Sequence, residues 1–185
     1  MLFPDKQKKQ TADRWNRFSY LNYYVRDENG QYIYQGKYYS CSADASMRRK
    51  IHTALMLLWG ISAACFIGCG FLPQKIFGAV FYVILAYAAE LAVILFALYR
   101  QIKLIRFKDP VKEYEYKETV EKLSTIYVLG VISGIITLIA EACYLFFVWK
   151  HNFAYGAAAL IMQLLFTVSY ILLAVVFKKL TFEEV

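Results

Sequence analysis

Two carboxylates stand where carboxylates are rare. Glu90 lies in AYAAELAVILF (Ala86–Phe96) and Glu141 in LIAEACYLFF (Leu138–Phe147), runs otherwise fit for lipid. A charge at mid-membrane costs about 2.5–3.5 kcal/mol or more, so an ionisable residue there points to function by default. No Lys or Arg occurs in the apolar runs that hold them. Each carboxyl must then be protonated, solvated in a cavity, or paired with a bound cation. One chemistry is packing: a neutral acid bonding Thr137, Gln163, Tyr82 or a backbone carbonyl between helices. The other is a proton or cation pathway with Glu90 and Glu141 as separate rungs. Counted from the outer helix ends at 1.5 Å per residue, they lie about 21 and 12 Å deep, so direct contact is not expected.

Three of the four cysteines share the same half of the apolar region: Cys65, Cys69 and Cys143. Cys65 and Cys69 are i,i+4 on one helix, and Cys143 lies near Glu141 on another. A thiolate–carboxylate metal site or a redox-active trio would use them. The spacing is not CxxC, no His is close in sequence, and a free Cys also packs as a small apolar residue. The bland reading therefore outweighs the metal site. His52 falls at one border of the apolar region and His151 at the other. With these two His, no nucleotide loop, no zincin helix and no Ser-His-Asp pattern, an enzyme is not the expectation and no cofactor is named.

The elements that must position these groups are four apolar spans: Ile51–Leu72, Ile76–Tyr99, Thr125–Trp149 and Ala154–Phe177. Each exceeds the roughly 20 residues that cross a bilayer. With 59% hydrophobic residues and a mean hydropathy of +0.40, the chain belongs in a membrane. Of its 21 Lys and Arg, ten precede Ile51, seven lie between Arg100 and Lys122, and two are Lys178 and Lys179. Lys75 and Lys150 stand alone on the other side. The positive-inside rule then places both termini and the central loop in the cytoplasm, with the cell membrane as the expected location. The net charge of +7 marks topology and not nucleic acid, because the basic residues flank spans instead of lining a groove. The Arg48-Arg49-Lys50 cluster is far from Met1, so the first span is expected to be an uncleaved anchor.

Lipid gives no drive for helices to associate, so small and polar residues mark their contacts. The third span carries Gly130, Gly134, Thr137 and Glu141, the two glycines forming a GxxxG. The second carries Gly78, Tyr82, Ala86 and Glu90, the fourth Ala159, Gln163, Thr167 and Tyr170, and the first Ser62, Cys65 and Cys69. Four such stripes predict a four-helix bundle with both carboxylates inside. Tyr99, Tyr127 and Trp149, near span ends, fit an interfacial belt.

Outside the spans, seven of 16 tyrosines fall between Tyr20 and Tyr39. Asn29-Gly30 is a two-residue hairpin signal. It pairs Val25 with Tyr34, Tyr23 with Gly36 and Leu21 with Tyr38 on one face, and Tyr23, Tyr34 and Tyr38 become docking candidates. The central loop carries Asp109-Pro110, a helix start by capping rules. Tyr116, Val120, Leu123 and Tyr127 follow on one helical face, and Glu113–Lys117 and Glu118–Lys122 make i,i+4 pairs. A helical hairpin over 100–124 is expected, with a short tail over 178–185.

These features give an all-α four-span bundle, N-in and C-in, with a cytoplasmic β-hairpin. The leading functional expectation is an accessory or regulatory membrane protein docking a cytoplasmic or membrane partner, because a lone hairpin is marginal in water. The alternative is a small oligomeric carrier or channel for a proton, cation or small solute. A thiol or metal protein comes third.

Overall fold

The computed structural model describes Tyr20 and residues 23–27, 30–72, 81–147 and 153–185. Leu21, Asn22, Asn29, Lys75, Ile76, Gly78, Trp149, Lys150 and His151 lie outside the described residues. The chain divides into two compact units, Met1–Lys37 and Tyr38–Val185.

The first unit holds a hairpin of β1 (Tyr24–Arg26) and β2 (Tyr32–Tyr34). Its register is one residue from the expected one: Tyr24 pairs with Tyr34, Val25 with Ile33 and Arg26 with Tyr32. The turn is a three-residue loop, closed by Gly30 N–H donating to Asp27 O at 2.8 Å and Asp27 N–H to Gln31 O at 2.7 Å. A two-residue turn needs positive φ at both central residues, whereas the longer loop needs it only at its last. Gly30 supplies it, at φ +80°. The slip moves side chains to opposite faces, so Val25 faces Ile33 and no longer shares a side with Tyr34. Tyr34 instead packs its ring 5.4 Å from Tyr24 and 6.3 Å from Tyr23.

Tyr38 is not part of that hairpin. It opens β3 (Tyr38–Cys41) in the second unit, the middle strand of a three-stranded sheet ordered β4-β3-β5. β4 (Val111–Lys112) places Lys112 opposite Tyr38, and β5 (Phe182–Glu184) places Phe182 opposite Cys41. The Asp109-Pro110 pair therefore leads into a strand, and the helix begins at Glu113. The tail 178–185 is likewise recruited, with Ser42 N–H bonded to Thr181 O and Val185 N–H to Tyr38 O. Tyr39 stacks on Tyr116 at 4.3 Å and Tyr116 meets Phe182 at 5.4 Å, which locks the sheet to the following helix. The segments before the first span, between the second and third, and after the fourth thus meet at one end.

Among the described residues, four helices are long and apolar enough to cross a membrane. They comprise α1 (Ala45–Gly70), α2 (Phe81–Ile105), the run of α3 (Glu113–Tyr116) with a π-helical turn (Lys117–Glu121) and α4 (Lys122–Phe147), and α5 (Phe153–Phe177). α5 packs between α1 and α4, α4 against α2, and α2 more lightly against α1, closing a ring. The outer faces stay apolar and open, as at Leu57, Leu85, Phe96, Ile136 and Leu164. A helix that is apolar all round suits lipid, so the inward residues are better read from size and polarity than from hydrophobicity.

The small residues set the close contacts. A Cβ at Gly130 would fall on the Tyr170 ring, and one at Gly134 would stand 2.6 Å from Thr167 Oγ1. GxxxG thus joins α4 to α5. In α2 the buried line runs Val83, Ala86, Glu90, Ile94, Ala97, Gln101 and Leu104. Tyr82, expected on it, is exposed and faces outward. Tyr127, expected at the membrane interface, is fully buried, and Gln101 Nε2 satisfies its hydroxyl by donating to it at 2.8 Å. Tyr99 is exposed, with Arg100 5.6 Å from its ring centre.

Candidate functional site: a polar cluster among the spans

Glu90 is 0% exposed and Glu141 2% exposed. The stripe at four, three and four on α4 carries Gly130, Gly134, Thr137 and Glu141 inward together, since residues three and four apart share a face. α5 answers with Gln163, Phe166, Thr167 and Tyr170, all buried.

Gln163 is the hinge of the arrangement. Its Nε2 donates to Glu90 Oε1 on α2 and lies 3.3 Å from the carbonyl oxygen of Gly134 on α4. One amide therefore spans three helices, and the missing side chain of Gly134 leaves that carbonyl within reach. Thr137, buried on the same stripe of α4, donates its hydroxyl to Ser133 O at 3.0 Å. Glu141 has a different partner: the Tyr87 hydroxyl donates to its Oε1. Cys69, on α1, is buried in the same half of the bundle. The interaction expected of Gln163 falls on Glu90, and Tyr87 takes the role expected of Tyr82.

Tyr87 and Glu90 are three apart on α2, and Thr137 and Glu141 four apart on α4. Tyr87 bonds Glu141 and lies three residues before Glu90, so the two carboxyls stand about one helical turn apart, roughly 5 Å along the axis at 1.5 Å per residue. Each has one oxygen bonded and one without a hydrogen-bond partner, Oε2 in both cases. Such an arrangement supports either of two chemistries. The bonded oxygens hold helices together, and the second oxygens offer a place for a proton or a cation.

The thiols do not converge. Cys69 is buried and Cys65 half-buried, but Cys143 is exposed on the outer face of α4. It is two residues from Glu141, which puts it some 200° around the helix from the inward stripe at 3.6 residues per turn. Among the described residues no three His, Cys, Asp or Glu come together in a geometry for a metal ion.

Two polar features went unread in the sequence. Tyr87 could have been found as the residue one turn before Glu90, on the same face. The Gln101–Tyr127 pair could not, because a glutamine just beyond the apolar run looks like an interfacial residue. Nearby, Glu118 on the π-helical turn bridges α2, at 2.7 Å from Lys103 Nζ and 3.3 Å from Arg100 Nη1. The expected Glu113–Lys117 pair is present at 2.7 Å.

No family model matches the chain, and no curated protein or solved structure is significantly similar to it.

Proposed function

We propose that this integral membrane protein is an accessory or regulatory subunit that docks a protein partner through its N-terminal hairpin on the cytoplasmic side. The observation that carries the reading is the cross-strand pair Val25–Ile33, at 47% and 50% exposure on a hairpin that forms its own unit. A two-stranded hairpin is marginally stable at best in water, and an open apolar pair on it is stabilised by a covering surface. Tyr24 and Tyr34, on the strands, and Tyr23, just before them, form an aromatic cluster, a residue type enriched at interfaces. The basic flanks of the spans favour the cytoplasm as the compartment of contact.

Val25→Thr with Ile33→Thr tests this, since threonine retains strand propensity and removes apolar contact. Extraction in mild detergent followed by mass spectrometry should recover a stoichiometric partner with the wild type and lose it with the double variant. Equal recovery from both would overturn the reading.

A second reading, a carrier or channel for a proton, cation or small solute, is favoured by the unbonded Oε2 atoms of Glu90 and Glu141. Here Glu90→Gln and Glu141→Gln should leave the fold intact and abolish pH-dependent flux in proteoliposomes. Unchanged flux in both variants, or none in the wild type, would remove this reading.

A further inference from the structure

A cavity of about 530 Å³ lies at the sheet-bearing end of the bundle, apart from the polar cluster. Its polar wall comes from the first turns of α1, where Arg48 and His52 stand four apart and Arg49 and Thr53 beside them. Its apolar wall comes from Leu104 at the end of α2, from Phe107 just beyond it, and from Leu180 after α5. The cavity exists because α1, α2 and the tail of α5 converge on the β4-β3-β5 sheet without filling the corner between them.

The charges in it are unevenly matched. Arg48 is bound to Asp109, so that carboxylate already has its cation. Arg49 makes no ion pair among the described residues and is exposed. His52 Nε2 is buried and has no hydrogen-bond partner. A buried imidazole nitrogen with nothing to bond is rare enough to need an explanation. Arg49 and His52 are three apart on α1 and so lie on one face of the helix; a guanidinium and an imidazole so placed suit an anion with several acceptor oxygens, and the Arg fork matches phosphate geometry.

From these features we infer that the cavity binds a phosphate ester, with the phosphate against Arg49 and His52 and an apolar portion along Leu104, Phe107 and Leu180. Ile51 opens the first apolar span, so the pocket sits at the level where lipid headgroups meet the protein. Basic pockets between spans at that level hold anionic headgroups. A volume of this size takes a headgroup and the first carbons of its chains, within the range of ordinary ligand sites.

The test uses the full chain, delipidated in detergent and titrated by native mass spectrometry with phosphatidic acid and with diacylglycerol of the same acyl chains. The two probes differ only in the phosphate. The wild type should retain phosphatidic acid and release diacylglycerol. Arg49→Gln should weaken retention about tenfold, the effect of losing one charge-assisted hydrogen bond. Lys50→Gln, an exposed neighbour outside the cavity lining, should leave it unchanged. Displacement of the lipid by millimolar inorganic phosphate would support the site with a soluble source, and resistance to it would support the lipid source. Equal retention of both probes would overturn the inference, as would an equal loss in Lys50→Gln and Arg49→Gln. Arg49 is exposed, so its replacement leaves the core untouched. His52→Gln, which keeps a donor, should retain more binding than His52→Ala, and the reverse order would also count against the site.

Discussion

Gly130→Ala adds one methyl group where α4 and α5 are closest, and two opposed effects follow. Alanine favours helix by about 0.8–1 kcal/mol over glycine in a helix interior. The new Cβ, however, falls on the ring of Tyr170, which is fully buried and packs 4.9 Å from Phe166. A ring held on several sides cannot turn aside, so α4 and α5 must separate. Overpacking of this kind costs about 1–3 kcal/mol. Gly60 provides the control, since a Cβ there meets nothing within 4 Å. Gly60→Ala reports the propensity alone, and the difference between the two variants isolates the clash. Reversible unfolding in bicelles by steric trapping would measure both. Gly130→Ala should be less stable than Gly60→Ala by about 1–3 kcal/mol, a factor of roughly 5 to 150 in the unfolding constant. Equal stability of the two would refute the close α4–α5 crossing, and with it the placement of Gln163 and Gly134 that depends on it.

Other consequences can be checked directly. Gln101→Leu should destabilise by about 1–3 kcal/mol, because it strands the buried Tyr127 hydroxyl, and adding Tyr127→Phe should restore much of the loss; chemical unfolding of the single and double variants tests this. Phe182→Cys should form a disulfide with the opposing Cys41 under mild oxidation, read as a gel-mobility shift, whereas Glu184→Cys, opposite Tyr39, should not. Glu90→Leu should cost more stability than Glu90→Gln, because leucine leaves the Gln163 amide without its carboxyl partner; thermal unfolding in detergent distinguishes the two. A lipid-soluble maleimide should label exposed Cys143 well before buried Cys69, measured by mass spectrometry of the digested chain.

Sequence alone determined the membrane class of this protein and the inward direction of most polar side chains. Apolar length decides whether a helix can span, and in lipid a small or polar residue has little reason to face outward, so Gly130, Gly134, Thr137, Glu141 and Gln163 were legible by spacing. Pairing was decided by the tertiary structure. Tyr82 and Tyr87 are equally plausible partners for a carboxylate until the rotation of α2 is known, and that rotation is set by what α4 presents. Tyr127 moved from a predicted interface to the core, where a single glutamine, Gln101, satisfies its hydroxyl across the bundle. The hairpin turned on one residue of register, where Asn-Gly chemistry allowed a two- or a three-residue loop and local sequence could not choose. The β4-β3-β5 sheet was the least legible element. Its strands are two to four residues long and lie far apart in the chain, so no local periodicity marks them. They become strands only when the ends of the helices bring Tyr38–Cys41, Val111–Lys112 and Phe182–Glu184 side by side, where unpaired backbone groups gain partners that the isolated segments lack.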